Sequence, residues 1–382
     1  MKTEQKEVLL LFGSNYNYAL HRGAAEFAAA HQWHLITQPY QIPHLPKNWK
    51  GSGILTALGA DPEITDFIIQ ADCPKVDLSG SHPEVHIPRL TADNLHIGKL
   101  AADHFIGRGF RSYTYCCDRL DPVSFLRKEG FFIALKIEEL SSRYWEWEAH
   151  AKRKRIDWDR KKEWLQAKIS KAAKPLAVFA YNDIIASQVV EAAIAAGISV
   201  PEEVAVMGVD NDELICNTTI VPLSSVKHDL HSLGYQGAIL LQQLMLGESS
   251  PDRPILIAPK GVEPRASTDI IAIHNPRCAT ALKFIKTNYR QNIGIEDIAA
   301  AVGCSRRTLE IEFHLELGRT LNKELQRIRM NQAKGLLIYT PFSIAEIAAK
   351  CGFRSVEYLH RIFKKQENTT PHKFRVHHTQ NQ

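Results

Sequence analysis

The chain has 382 residues, of which 45% are hydrophobic and 23% charged, and its formal net charge is +5. This composition is typical of globular proteins and excludes collagen, a long coiled coil and global disorder. No apolar run approaches the roughly 20 residues of a membrane span, and the run at 8–12 has an acidic flank unlike a signal peptide. We therefore expect a cytoplasmic protein without a membrane partner. The seven cysteines include no Cys-x-x-Cys pair, which favours reduced thiols over a disulfide or zinc framework.

Short apolar runs alternate with helical patterns through the first 270 residues. The runs predict strands at 8–12, 53–58, 75–78, 113–117, 176–180 and 204–209. Between them the spacing predicts helices at 21–31, 95–106, 184–196 and 230–246. Such alternation is typical of Rossmann-like α/β folds, in which helices cover both faces of a parallel sheet and ligands bind at the carboxyl ends of the strands.

The pattern changes after about residue 269. A short linker over 270–276 precedes a segment in which apolar residues fall only at helical spacing. Cys278, Leu282 and Ile285 form a stripe that can face a core. Lys283, Lys286 and Arg290 can stay in water. We predict an all-α domain over 275–382.

Charge is unevenly divided between these two parts. Residues 275–382 carry 18 basic and nine acidic side chains, a net charge of +9. Residues 1–274 carry 29 basic and 33 acidic side chains, a net charge of −4. A basic block joined to a mildly acidic one is typical of a polyanion-binding module, although chance segregation of surface charge is the alternative.

The helical part contains an internal repeat. Ile295-Glu-Asp-Ile-Ala-Ala-Ala-Val-Gly303 matches Ile344-Ala-Glu-Ile-Ala-Ala-Lys-Cys-Gly352, and an offset of 50 then relates Ser305, Leu309 and Phe313 to Ser355, Leu359 and Phe363. A small alanine where two helices cross, a glycine in the turn and a serine that caps the second helix predict two helix-turn-helix units.

The second copy, Gly352-Phe-Arg-Ser-Val-Glu-Tyr-Leu-His-Arg-Ile-Phe363, closely resembles the signature of the AraC/XylS family of transcription regulators. That resemblance implies that one long helix, here 320–339, joins the two helix-turn-helix units. It also implies double-stranded DNA as a partner, with the start of each second helix in the major groove. By family position we expect base contacts from Arg307, Glu310, Glu357 and Arg361 and a phosphate contact from Arg306. A solvated surface is the alternative for each of them. The complete set of candidate DNA-binding residues is Ser305, Arg306, Arg307, Thr308, Glu310, Ser355, Glu357, Tyr358, His360, Arg361 and Lys364.

The front part resembles the sugar-binding domains of LacI-type repressors and periplasmic ribose-binding proteins. The resemblance is carried by stretches such as Phe179-Ala-Tyr-Asn-Asp183 and Val200-Pro-Glu-Glu-Val-Ala-Val-Met-Gly-Val-Asp-Asn211. It implies a two-lobed, periplasmic-binding-protein-like sensor over 1–270 that closes on a small carbohydrate. Together the two resemblances imply a sugar-responsive regulator and favour an activator controlled by D-xylose. A repressor, or a sensor for a different carbohydrate, is the alternative.

The same resemblance indicates the effector-binding residues, which are Asn15, Tyr16, Arg127, Asn182, Asp183 and Asp210. Asp210 is the strongest candidate, because a carboxylate at the end of a strand can accept hydrogen bonds from two hydroxyls. A turn-forming role is its alternative. Asn182 and Asp183 are equally compatible with a cap for the helix that follows them, and Arg127 with a surface ion pair.

An enzymatic function finds little support in the sequence. Gly-x-Ser-x-Gly, Walker and His-Glu-x-x-His motifs are absent, as is a Gly-x-Gly-x-x-Gly loop after the first strand. We therefore predict no catalytic residues, no cofactor and no metal. The resemblances imply RNA polymerase and a second copy of the chain as further partners.

Overall fold

Two parallel-stranded lobes form the first part of the chain, as a computed structural model shows. The structure describes residues 5–13, 16–38, 45–46, 49–137, 144–151, 157–270, 272–273, 275–367 and 369–379. Contacts divide the chain into two compact units, Met1–Ile270 and Ile271–Gln382. In the described residues no helix is long and apolar enough to cross a membrane.

The first unit contains twelve described strands and nine described helices. The strands are β1 (Glu7–Phe12), β2 (His34–Gln38), β3 (Gly53–Ala57), β4 (Lys75–Asp77), β5 (Leu90–Ala92), β6 (Ser112–Cys117), β7 (Tyr144–Glu146), β8 (Leu176–Ala180), β9 (Val204–Val209), β10 (Ser224–Val226), β11 (Ile255–Ile257) and β12 (Val262–Glu263). The helices are α1 (Tyr18–Ala30), α2 (Pro62–Gln70), α3 (Asn94–Ile106), α4 (Pro122–Ala134), α5 (Trp147–Ala151), α6 (Trp158–Lys171), α7 (Asp183–Ala195), α8 (Glu213–Thr218) and α9 (Leu230–Met245).

Each lobe is built on its own sheet. The first lobe has the strand order β2-β1-β3-β4, and its core includes residues of α1 and α9. The second has the order β12-β10-β9-β8-β6-β7, in which only β12 runs antiparallel. A two-stranded sheet of β5 and β11 lies where the chain passes between the lobes. The predicted α/β class with parallel sheets is confirmed, and central strands such as β8 and β9 are buried along their whole length.

Helices α3 and α4 of the second lobe approach each other unusually closely. A Cβ on Gly98 would lie 2.2 Å from the Arg127 carbonyl oxygen, and one on Gly130 would lie 2.1 Å from that of Leu95. Both distances are shorter than any van der Waals contact, so the crossing requires glycine on both helices. The crossing fixes the backbone of Arg127 beside the start of α3.

The last residues of the first unit are attached to the second lobe. A short 3-10 helix over Ala266–Thr268 ends this unit, and the Thr268 hydroxyl bonds Nε2 of His104 at 2.8 Å and the Ser224 hydroxyl at 2.7 Å. Arg108 Nε donates to the Thr268 carbonyl at 2.8 Å, and Ser267 Oγ donates to the Val206 carbonyl at 2.6 Å. Burial, followed by the charge of Arg108, lowers the pKa of His104 to about 3, so a neutral imidazole holds this end of the lobe.

The described residues of the second unit form seven helices. They are α10 (Pro276–Asn288), α11 (Ile295–Val302), α12 (Arg306–Leu317), α13 (Leu321–Tyr339), α14 (Ile344–Lys350), α15 (Val356–Glu367) and α16 (Pro371–Thr379). The predicted long helix corresponds to α13, which Thr320 caps by accepting from Lys323 N at 3.3 Å. The predicted stripe on α10 is buried as well.

Helix α13 contributes to two hydrophobic cores. Its first half places Leu321, Leu325 and Ile328 in one core with α10, α11 and α12. Its second half places Met330, Ala333 and Leu337 in another with α14 and α15. At 1.5 Å per residue, a helix of 19 residues is about 28 Å long, so one rigid element spaces the two cores.

Lys286 is half-buried, so the prediction that its side chain can stay in water holds only in part. Burial, followed by the charge of Arg327, lowers the pKa of Lys286 to about 8. The buried carboxylate of Glu324, which lies nearby, accepts from Arg327 Nε at 3.0 Å and Nη2 at 2.8 Å and pairs with Arg319. The position of Lys286 on the polar face of α10 does not reveal that charged residues of α13 lie near it.

Candidate functional site

Three adjacent strands of the second lobe end beside one another with polar residues. Tyr181 follows β8, Asp210 follows β9 and His228 follows β10 closely. The carboxyl ends of neighbouring parallel strands share one edge of a sheet, which is where ligands bind in this class of fold. We call Arg127, Tyr181, Asp210 and His228 the strand-end cluster.

Arg127 is buried, and three contacts with two residues fix its position. Its Nε donates to Asn94 Oδ1 at 2.9 Å, and its Nη1 donates to the Tyr181 carbonyl at 2.6 Å. The guanidinium also lies 4.9 Å from the centre of the Tyr181 ring, a cation–π contact. Nη2 is 3.9 Å from Asp210 Oδ1, beyond ordinary hydrogen-bond distance. The Arg127 side chain is therefore held in place with one nitrogen directed toward the carboxylate.

Asp210 sits on a strained turn. Its φ is +104° and that of Asn211 is +54°, backbone angles that residues other than glycine rarely adopt. Arg265 Nη2 donates to Asn211 Oδ1 at 2.9 Å, and Ser225 Oγ accepts from Asn211 N at 3.0 Å. Strain of this kind persists only where the surroundings enforce it, and it is concentrated at binding sites. Here it holds the Asp210 carboxylate at the edge of the sheet.

His228 was not predicted to belong to the site. Only 8% of its side chain is exposed, and its Nδ1 lies 3.5 Å from Asp210 Oδ1. Neither ring nitrogen has a hydrogen-bond partner among the described residues. Since burying a polar group without a partner is unfavourable, this imidazole and the Asp210 carboxylate are suited to a hydroxyl-bearing ligand. The signal was weak because β10, which precedes His228, has only three residues.

The side chains of Asn182 and Asp183 bond other groups of the protein. For Asn182 this agrees with the alternative to a ligand contact, which is a cap for the following helix. Asn182 Oδ1 accepts from Ile185 N at 2.9 Å and caps α7. Asp183 is buried, with Oδ1 accepting from Ser225 Oγ at 2.7 Å and Oδ2 from Asp212 N at 2.8 Å. Burial, followed by the negative charge of Asp210, raises the pKa of Asp183 to about 7. Asp183 therefore braces the turn that carries Asp210, whereas Asn182 caps the helix.

The two remaining effector candidates belong to the loop after β1 in the first lobe. Tyr16 is 39% exposed, its hydroxyl bonds His21 Nδ1 at 2.6 Å, and its ring packs edge-on against Phe12 at 5.1 Å. Asn15 lies outside the described residues. The structure thus brings Arg127 and Asp210 together, while Tyr16 stands on the other lobe with its hydroxyl already paired.

Both predicted helix-turn-helix units are present in the second unit. Gly303 and Gly352 occupy the turns with φ of +74° and +75°. Ser305 Oγ accepts from Thr308 N at 3.1 Å, and Ser355 Oγ accepts from Tyr358 N at 3.1 Å, so both second helices are capped. Leu309, Phe313, Leu359 and Phe363 face the cores. The repeat therefore corresponds to two structurally equivalent helices, α12 and α15.

The candidate DNA-binding side chains of α12 differ in their exposure and in whether they already form ion pairs. Arg307 is exposed. Arg306 is exposed but paired, with Nη1 at 2.6 Å from Glu296 Oε1 and Nε at 3.2 Å from Glu310 Oε1. Thr308 is half-buried beside the capping hydroxyl of Ser305. A DNA contact through Arg306 or Glu310 must therefore compete with their mutual ion pair.

On α15 one candidate does not face outward. Glu357, Arg361 and Lys364 are exposed, and His360 is half-buried. Tyr358 was predicted to face outward but is half-buried, and its hydroxyl accepts from Gln326 Nε2 of α13 at 2.9 Å. Arg354 and Arg361 lie over its ring, 4.4 Å and 5.2 Å from its centre. Tyr358 therefore supports the exposed arginines from beneath. Val356, at the start of the same helix, packs against the core as well.

The middle of α13 joins the two helix-turn-helix units. Arg329 Nε donates to the Tyr289 carbonyl at 2.8 Å, and its Nη2 donates to that of Gln291 at 2.8 Å, just past the end of α10. Gly352 lies against the same backbone, since a Cβ there would be 2.2 Å from the Tyr289 oxygen. The turn of the second unit therefore packs directly on the first.

Comparisons with known proteins agree with this two-part architecture. Residues 102–268 match a family model described as a periplasmic binding protein-like domain, and residues 298–377 match a helix-turn-helix domain. The xylose operon regulatory protein of Escherichia coli (strain K12) is 28% identical over 398 residues, which cover 98% of each chain. That of Haemophilus influenzae is 26% identical and covers 98% of this chain and 100% of the relative.

Solved structures show the same architecture. The structure of the xylose-binding transcription activator XylR matches with a TM-score of 0.74 at 27% identity, covering 98% of this chain and 99% of that one. The transcription regulator CcpA of Lactococcus lactis shares the fold over 70% of this chain and 100% of its own, with a TM-score of 0.57 at 20% identity. The chain therefore carries a periplasmic binding protein-like domain followed by a helix-turn-helix domain, and over nearly its full length it is similar to the xylose operon regulatory proteins.

Proposed function

We propose that this chain is a sequence-specific DNA-binding transcription regulator, an activator of sugar catabolism genes that responds to a small sugar. The observation that carries the proposal is the pair of serine-capped helices, α12 and α15, that one connecting helix presents in a single basic unit. DNA-reading helices of this motif use residues near their amino ends, where Arg307 and Glu357 lie. Its place of action is the cytoplasm, where DNA is accessible.

The strand-end cluster is the proposed effector site. The Asp210 carboxylate accepts hydrogen bonds from sugar hydroxyls, and the His228 imidazole bonds a neighbouring hydroxyl. Arg127 donates an N–H of Nη2, the nitrogen that points toward Asp210, to a sugar oxygen. Tyr16 faces the ligand from the first lobe. A neutral sugar with adjacent hydroxyls satisfies the two unpartnered nitrogens of His228, and the names of the relatives favour D-xylose among such sugars.

Calorimetry on the full chain tests the effector. We expect D-xylose to bind one site per chain with release of heat, more tightly than L-arabinose, D-ribose or D-glucose, because polar groups at a strand edge distinguish hydroxyl positions. Mannitol, an acyclic polyol, serves as the control for unspecific heats. Heat from another sugar instead of D-xylose would change the effector, and the absence of binding by every sugar would refute the sensor proposal.

A pair of variants tests the DNA-reading proposal. Arg307→Ala should relax base preference at one position of the site, because arginine reads guanine through two hydrogen bonds worth about 1–3 kcal/mol. Lys365→Ala, on the exposed face of α15, should instead weaken binding to all sequences alike and reduce the salt slope by about one. Binding curves for the full chain on singly substituted duplexes at several salt concentrations distinguish the two. The same loss from both variants on every duplex would contradict base reading by Arg307.

RNA polymerase and a second copy of the chain are the remaining proposed partners. Transcription in vitro from a promoter that carries the bound sequence, with and without the sugar, tests activation. Stimulation supports an activator, whereas inhibition indicates a repressor. Light scattering on the same protein gives the number of chains in each complex, and a single chain per site would refute the dimer.

A further inference from the structure

Helix α12 exposes an apolar row beside its candidate base-reading arginine. Ile311 is 52% exposed and Leu315 is 80% exposed, one and two turns after Arg307. The same helix buries Leu309, Phe313 and Leu317 in the core, so Ile311 and Leu315 lie on a different face. Single exposed apolar residues are common on protein surfaces. Two of them in line with Arg307, on the helix proposed to enter DNA, call for a more specific explanation.

The internal repeat shows which residues the second unit uses at these positions. The offset of 50 relates Ile311 to Arg361 and Leu315 to Lys365, and both of these cations are exposed on α15. The second unit thus carries positive charge where the first carries aliphatic side chains. A surface that only neutralised phosphates would favour cations in both units. The difference therefore points to a chemically different contact in the first unit.

The major groove offers one strongly apolar group, the C5-methyl of thymine, and aliphatic side chains recognise thymine by packing against it. Ile311 lies within the first two turns of α12, which is the part of such a helix that reaches base edges. One helical turn advances about 5.4 Å, or one to two base pairs of about 3.4 Å each, so Ile311 reaches a base close to that read by Arg307. Leu315 lies a further turn away.

We propose that Ile311 packs against the C5-methyl group of a thymine and makes the first helix-turn-helix unit thymine-specific at one position of its half-site. The equivalent Arg361 gives the second unit a polar contact at the corresponding position. The two half-sites are therefore unlike in sequence, although the two units are repeats. This inference rests on the proposed function, because it requires α12 to lie in the major groove.

The test uses the full chain and a duplex that it selects from a random-sequence pool. Each thymine of the selected duplex is replaced singly by deoxyuridine, which removes only the methyl group. We expect one thymine at which this change weakens wild-type binding about fourfold, as loss of one buried methyl-sized group of about 0.8 kcal/mol predicts. Ile311→Ala should bind both forms of that base pair equally, whereas the control Leu315→Ala should keep the fourfold difference.

A gain of function provides the second arm. Ile311→Arg should change the preferred base at that position from thymine to guanine, which matches the chemistry of Arg361 in the second unit. Sensitivity to deoxyuridine that persists in Ile311→Ala, or its absence from the wild-type protein, would overturn the inference. If Ile311→Ala instead binds all duplexes equally weakly and its complexes contain fewer chains, Ile311 and Leu315 would be assigned to contacts between copies of the chain. If the pool yields no selected sequence, the proposed function itself fails.

Discussion

Asp210→Asn is expected to weaken binding of the effector sugar by about 100-fold or more, without loss of the fold. A hydrogen bond to a charged group contributes about 1.5–3 kcal/mol, and the Asp210 carboxylate is positioned to accept two of them. Asparagine is the appropriate replacement because it tolerates positive φ better than alanine, and φ at this residue is +104°. The substitution therefore removes the charge and leaves the strained turn in place.

Calorimetry with the sugar that binds the wild-type protein measures this effect, and binding to the selected DNA duplex serves as a second measurement. Asp103→Asn, a charge removal at an exposed position of α3, is the matched control and should bind the sugar normally. We expect Asp210→Asn to retain sugar-independent DNA affinity and to lose the sugar response. Near-normal sugar affinity in Asp210→Asn would place the effector elsewhere.

The second large effect is expected from Gly352→Ala, compared with Gly303→Ala. Both glycines have nearly the same φ, +75° and +74°, so an alanine costs about 1–2 kcal/mol of strain at either position. The surroundings differ, since a Cβ at Gly352 would lie 2.2 Å from the Tyr289 oxygen and one at Gly303 has nothing within 4 Å. Gly352→Ala should therefore destabilise the helical unit by several kcal/mol more than Gly303→Ala.

Thermal unfolding followed by circular dichroism reports the difference. For a domain of about 100 residues each kcal/mol shifts the midpoint by about 4–8 °C, so Gly303→Ala should lower the transition by about 10 °C and Gly352→Ala by considerably more. DNA binding below both transitions provides a second test. We expect Gly352→Ala to bind poorly, because it displaces the second helix-turn-helix unit from the first. Equal midpoints for the two variants would show that the Gly352 contact has no effect on stability.

The sequence was most informative where elements are buried on all sides. β8 and β9 are central strands of a parallel sheet with every residue buried, so they appear as continuous apolar runs. The edge strand β2, with the sequence His-Leu-Ile-Thr-Gln, and strands of two or three residues such as β10 and β12 show no such pattern. Their positions depend on pairing with neighbouring strands, and the sequence of a short strand alone does not predict that pairing.

The candidate site residues also divide into those that local sequence predicts and those that depend on contacts distant in sequence. Ser305, Ser355 and the two turn glycines follow from local chemistry that the repeat displays twice, and the structure confirms their caps and turns. The half-buried position of Tyr358 depends on Gln326 of α13, which is distant in sequence. His228 belongs to the strand-end cluster because three strands end together, and this convergence exists only in the folded sheet.

The attachment of Thr268 has a mechanical consequence. His104, Arg108 and Ser224 hold this residue to elements of the second lobe, and none of these three lies in the first. Any rotation of the second lobe would therefore carry residues 266–268 with it. The chain that leads to the helical unit therefore starts from a point that belongs to the second lobe and not to the first.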